Sequence, residues 1–180
     1  SELEKIEEDI RRILKEHKDT VRKNSEDIDR SVKEVKERID KILKEIDDLL
    51  KELRELVERG ELDERTVEEV KRRIEELLRE VEKLSEKHKR DLDRSNDELR
   101  KHSEEVKKEI DDLLEEVERR GVEKREDLER VVREVKKELD DINRENRKSS
   151  EEAKKKNDDV LAELEKRIRE IKRRIDEDAT

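Results

Sequence analysis

The sequence predicts an all-α protein, a long up-down-up antiparallel three-helix bundle that is rod-like with weak or no supercoil. Three observations predict it. Of 180 residues, 61% are Asp, Glu, Lys or Arg and only 27% are apolar, yet the apolar ones recur every ~3.5–3.6 residues, the spacing of one helix face. Pro is absent, and Gly60 and Gly121 divide the chain into near-equal thirds. Charges of both signs are interleaved, as on a solvated helix surface held by i,i+4 pairs. High charge with few apolar residues otherwise marks a disordered chain. The periodicity decides against disorder.

The first helix is expected over residues 2–58. Its stripe runs through Leu3, Ile6, Ile10 and Ile13, then from Val35 through Ile39, Ile42, Ile46, Leu49, Leu53 and Leu56. Arg59 suits a helix C-terminus, and Gly60 supplies the C-cap with left-handed φ. The second helix, 63–119, opens on Asp63, whose carboxylate can cap it. It carries Val67, Val70, Ile74, Leu77 and Val81, then Val106, Ile110, Leu113 and Val117, and ends at the C-cap Gly121. The third, 123–178, has no capping Ser, Thr, Asp or Asn directly after Gly121. Glu123, Glu126 and Asp127 favour its N-terminus, and Val122 is expected to pack back on the helix just ended. Doublets such as Ile13–Leu14, Ile42–Leu43 and Val131–Val132 widen the apolar face, as a helix with two neighbours requires. Each helix would be ~80 Å long. Short connections make neighbours antiparallel, and residues 1–180 are expected to form a single domain.

Composition closes off most chemistry. Without Cys there is no disulfide framework, zinc ribbon, thiol enzyme, iron–sulfur centre or c-type haem site. No run approaches the ~20 apolar residues of a membrane span. No signal peptide or other targeting signal is visible, so the chain is expected to be soluble and suited to recombinant cytoplasmic expression. There are no aromatic residues on which bases could stack. With a net charge of −10 and no basic stripe, nucleic acid is not an expected partner.

In the middle of every helix the stripe continues while the residue type changes. The first places His17, Thr20, Asn24, Ser25 and Ser31 on it. The second places Ser85, His88, Ser95, Asn96, His102 and Ser103, and the third Asn143, Asn146, Ser149, Ser150 and Asn157. Elsewhere the polar surface is almost wholly Asp, Glu, Lys and Arg, so the small uncharged polar groups are confined to the inner face. With Gly60 and Gly121 as turns, facing residue numbers total roughly 120 between the first two helices and roughly 242 between the last two. One register then forms five layers. Asn24 meets Asn96 and Asn146, and Ser31 meets His88 beside Ala153. His17 meets His102 and Ser103, Thr20 lies by Leu99 and Asn143, and Ser85 meets Asn157. Asn offers two donors and two acceptor sites, Ser rotates to match, and neutral His has one of each. Such layers add little stability beside Leu or Ile, but a slip would strand them against hydrocarbon, so they specify register.

On these features the whole chain resembles a de novo designed helical bundle with buried hydrogen-bond networks. The resemblance implies a monomeric structural scaffold with no natural activity, no cofactor and no required partner. Spectrin-like natural bundles normally use aromatic, Gln and Ala residues that are scarce or absent here. Three sharper readings compete. His17 and His102 could recruit Glu16 or Glu105 to a metal, but zinc wants three or four ligands and His88 lies roughly 20 Å away along the helix. No metal site is therefore expected. Ser and His share layers, yet nothing suggests an oxyanion hole or a cleft, so no enzyme is expected. Burial of His17, His88 and His102 would make the bundle open as pH falls. Finally, three helices could leave a groove for a fourth helix or for self-association.

Overall fold

The protein is represented by a computed structural model that describes residues 2–121 and 125–179, with side chains through Glu177. It contains three helices, α1 (Glu2–Arg59), α2 (Glu64–Arg119) and α3 (Arg125–Ala179), with no strand among the described residues. It is a three-helix bundle. Val122 and Glu123, where the third helix was expected to begin, lie outside the described residues.

The helix ends follow from local chemistry. Gly60 has φ 68°. Its N–H donates to the Val57 carbonyl at 3.1 Å, and Glu61 N–H donates to the Leu56 carbonyl at 2.9 Å. These two bonds form the Schellman pattern, which satisfies carbonyls the helix cannot satisfy itself. Leu62 then packs against the nearby apolar cluster. Asp63 Oδ1 accepts the Thr66 N–H at 2.7 Å and caps α2. That bond holds the Asp63 carboxyl below its ordinary pKa. At the far end Gly121 has φ 63°, and its N–H donates to the Glu118 carbonyl at 3.1 Å.

Residues group into two compact units, 1–28 with 91–152 and 29–90 with 153–180. All three helices pass unbroken from one unit into the other. The first unit has an apolar cluster built on Ile10, Ile13 and Leu14 of α1, Val106 and Ile110 of α2, and Val131, Val135 and Leu139 of α3. The second has its own, built on Ile42, Ile46 and Leu53 of α1, Ile74, Leu77 and Val81 of α2, and Leu164 and Ile168 of α3. Each fully buried Ile or Leu contributes ~1.5–3 kcal/mol. The doublet at Ile13–Leu14 and the one at Val131–Val132 are buried at both positions, which places those turns against two neighbours at once.

Candidate functional site: a polar interior

Within the first unit, the stripe that carries Ile10 and Ile13 reaches His17, which is fully buried. His17 lies over His102 of α2, with ring centroids 4.9 Å apart and planes 10° apart. The two Nδ1 atoms are 2.6 Å apart. Neutral rings can hold this contact only as opposite tautomers, one donating from Nδ1 and the other accepting. Burial, and then the proximity of His102, lowers the His17 pKa to about 4. Its Nε2 is buried without a partner among the described residues. Lys18, beside it in sequence, reaches out to Glu138 of α3. One residue beyond His102, the fully buried Ser103 accepts a hydrogen bond from Asn143 Nδ2 at 3.0 Å.

Within the second unit, Asn157 of α3 turns to Ser85 of α2. Its Nδ2 donates to Ser85 Oγ at 2.7 Å and to the Ser85 carbonyl at 3.2 Å. Ser85 is buried, Asn157 half-buried. A helical carbonyl that receives a second donor this way ties a side chain of one helix to the backbone of another. His88, one turn on, is buried, and Ser31 is half-buried.

Asn24, Asn96 and Asn146 are all half-buried. Asn146 Nδ2 and the nearby Ser95 Oγ are buried without a partner among the described residues, so this stretch is polar without being closed. Three residues assigned to the interior stripe from sequence, Thr20, Ser25 and Ser149, lie outside it. Thr20 is exposed. Its hydroxyl donates to the Glu16 carbonyl at 3.0 Å, so its own helix satisfies it without a neighbour. Ser149 is also exposed, while Ser150 is buried. Successive helical residues are rotated by ~100°, so where the inward face is narrow one of an adjacent pair turns outward. Ser25 is exposed beside Asn24 for the same reason.

A further set of cross-helix contacts was missed from sequence. Lys71, Lys89 and Lys107 of α2 pair with Asp176, Asp158 and Asp140 of α3. The three lysines are mostly covered, with side-chain exposure of 23%, 25% and 21%, their stems lying along the bundle while the ammonium groups stay wet. Hydrogen bonds to the aspartates raise all three lysine pKa values. The signal was present in the recurrence of Lys every eighteenth residue along α2 and of Asp along α3. Five turns of a 3.6-residue helix return a side chain to the same face.

The chemistry available here is hydrogen bonding. No group of three or more His, Cys, Asp or Glu able to hold a metal occurs among the described residues, and no described helix is long and apolar enough to cross a membrane.

No protein-family model matches the chain, and no curated protein does. The three-helix bundle class is shared with a solved structure described as "Computationally designed three helix bundle". The two agree with a TM-score of 0.68 over 99% of this chain and 90% of that one, at 22% identity. At that identity the likeness is one of fold.

Proposed function

We propose that the chain is a designed structural scaffold without catalytic activity, whose interior Asn, Ser and His pairs set helix register. The observation that carries this reading is the Asn157–Ser85 contact. Here an interior amide spends its donor on another helix, not on a ligand-lined cavity. The designed bundle of the same fold supports it. Catalysis would need a nucleophile, a base and an oxyanion site converging on a cleft, whereas here His17 contacts His102 and the hydroxyls of Ser85 and Ser103 meet Asn157 and Asn143.

Register is testable by crosslinking. Glu75 and Lys172 pair at 2.8 Å, so Glu75→Cys with Lys172→Cys reports the native alignment of α2 and α3. Glu75→Cys with Asp176→Cys reports a slip of one turn. A short bifunctional thiol reagent should join only the first pair. Adding Ser85→Ala and Asn157→Leu should let the second pair react as well. Reaction confined to the first pair in both backgrounds would show that apolar packing alone sets register.

A second reading rests on the part-buried 2.6 Å contact between His17 and His102, which two charged imidazoliums cannot keep. It makes the bundle pH-responsive, loosening as acid protonates His17. A melting temperature that falls between pH 7 and pH 4.5 supports it, and an unchanged one removes it.

A further inference from the structure

The apolar interior is not closed along every seam. In the unit of residues 29–90 and 153–180, α1 and α3 flank an open groove of about 660 Å³. Its floor is Ile39, Leu43, Leu50, Val160, Leu164 and Ile171. At the end nearer Gly60 it continues past Leu50 and Ile171 to Val57 and Leu62. Val160 and Val57, toward its two ends, are 47% and 42% exposed. They are two of the three exposed large apolar side chains among the described residues. From Ile39 to Val57 the groove is about 27 Å long.

The other seams of this unit are held by close ion pairs. Arg38–Glu80 and Arg73–Glu45 join α1 to α2, and Lys71–Asp176 and Lys172–Glu75 join α2 to α3. Beside the groove, Asp47 and Arg167 approach only to 3.7 Å, both exposed. An apolar floor with a charged rim is the anatomy of an association surface.

We propose that this groove receives a second copy of the chain, groove against groove, with the two copies antiparallel about a two-fold axis. The order of charges on the rim selects this occupant. Asp47 beside Arg167 fixes how α1 and α3 align. Read toward Gly60, the rim passes Glu163, then Lys166, then Glu170, and ends on Arg54 and Arg174. It begins acidic and ends basic. A parallel copy would lay α1 of one chain against α3 of the other and bring Arg54 level with Arg174, basic against basic. An antiparallel copy lays α3 against α3 and sets Glu163 against Arg174, and Lys166 against Glu170. Two-fold symmetry makes each of these contacts twice. The same rotation lays Val160 of one copy toward the Val57 end of the other, covering both exposed valines.

Sedimentation equilibrium from micromolar to millimolar protein tests this. The mass should rise from 21.9 kDa toward twice that value. Val160→Glu, at a site exposed enough to leave helicity unchanged, should raise the dimer Kd at least ~tenfold. Glu163→Arg and Arg174→Glu should each weaken the dimer, and the two together should recover most of the loss. Three results would overturn the proposal: a monomer at every concentration, which would leave the groove to a helix of another protein or to none; a dimer indifferent to Val160→Glu; or a double charge reversal weaker than either single one.

Discussion

A proton added to His17 has no favourable place to go. The ring is fully buried, its Nδ1 lies 2.6 Å from the Nδ1 of His102, and its Nε2 has no partner among the described residues. Its pKa is lowered from 6.5 to about 4. The sign follows directly. The unfolded chain takes up this proton at a higher pH than the folded one, so the His17 contribution is complete above pH 6.5. It is lost progressively as pH falls toward about 4, where the folded protein also binds the proton. At ~1.4 kcal/mol per pKa unit the loss reaches about 3 kcal/mol. His17→Leu should remove most of the fall in melting temperature between pH 6.5 and pH 4, because His17 carries the displaced titration. An unaltered slope would assign the pH response to other groups. Asn146 makes a different argument. Its Nδ2 is buried without a partner among the described residues, at a cost of ~1–3 kcal/mol. Asn146→Leu should therefore raise the melting temperature or leave it level, and a loss of several kcal/mol would mean that the amide belongs to a closed network. The stripe position of His17, Ser85 and Asn157 was legible in the sequence because small polar residues stand out against a charged surface. Pairing was less legible. Periodicity resolves a face to about one residue, so it could not separate Ser149 from Ser150, or foresee that Thr20 would bond its own helix.

At the scale of the helices, the ends were more legible than the middles, because single residues dictate them. Positive φ at Gly60 and Gly121 is a conformation other residues adopt only with strain. At Gly60 an added Cβ would meet nothing within 4 Å, so substitution there isolates backbone strain from crowding. Gly60→Ala should cost about 1 kcal/mol, and Gly60→Asn, whose side chain tolerates left-handed φ, should cost less. Chemical denaturation of the two variants measures the difference, and equal losses would show that the Schellman turn does not limit stability. Asp63 was legible as a cap on the same grounds and holds the Thr66 N–H. The start of α3 offered no such residue. The groove between α1 and α3 was only partly legible. Spacing reports which face of a helix is apolar but not how widely two helices part above it. That separation depends on how Leu43, Leu50, Leu164 and Ile171 fill the seam.

For the whole molecule, the question is whether two apolar clusters make one folding unit. Each compact unit has a core of its own, which by itself would permit two domains. The helices argue otherwise, since α1, α2 and α3 all run unbroken through both units. A long polar helix is marginal without packing. Melting one unit would therefore strip the packing from part of each of the three helices. We propose that residues 1–180 behave as a single cooperative domain. Ile110 and Ile74 are fully buried, one in each cluster. Ile110→Ala and Ile74→Ala should each cost roughly 2–5 kcal/mol through lost contact and cavity. Scanning calorimetry should show each substitution lowering the same single transition. If Ile110→Ala instead moves one transition and Ile74→Ala another, the polar stretch between the clusters uncouples them. The chain would then be two domains threaded on shared helices.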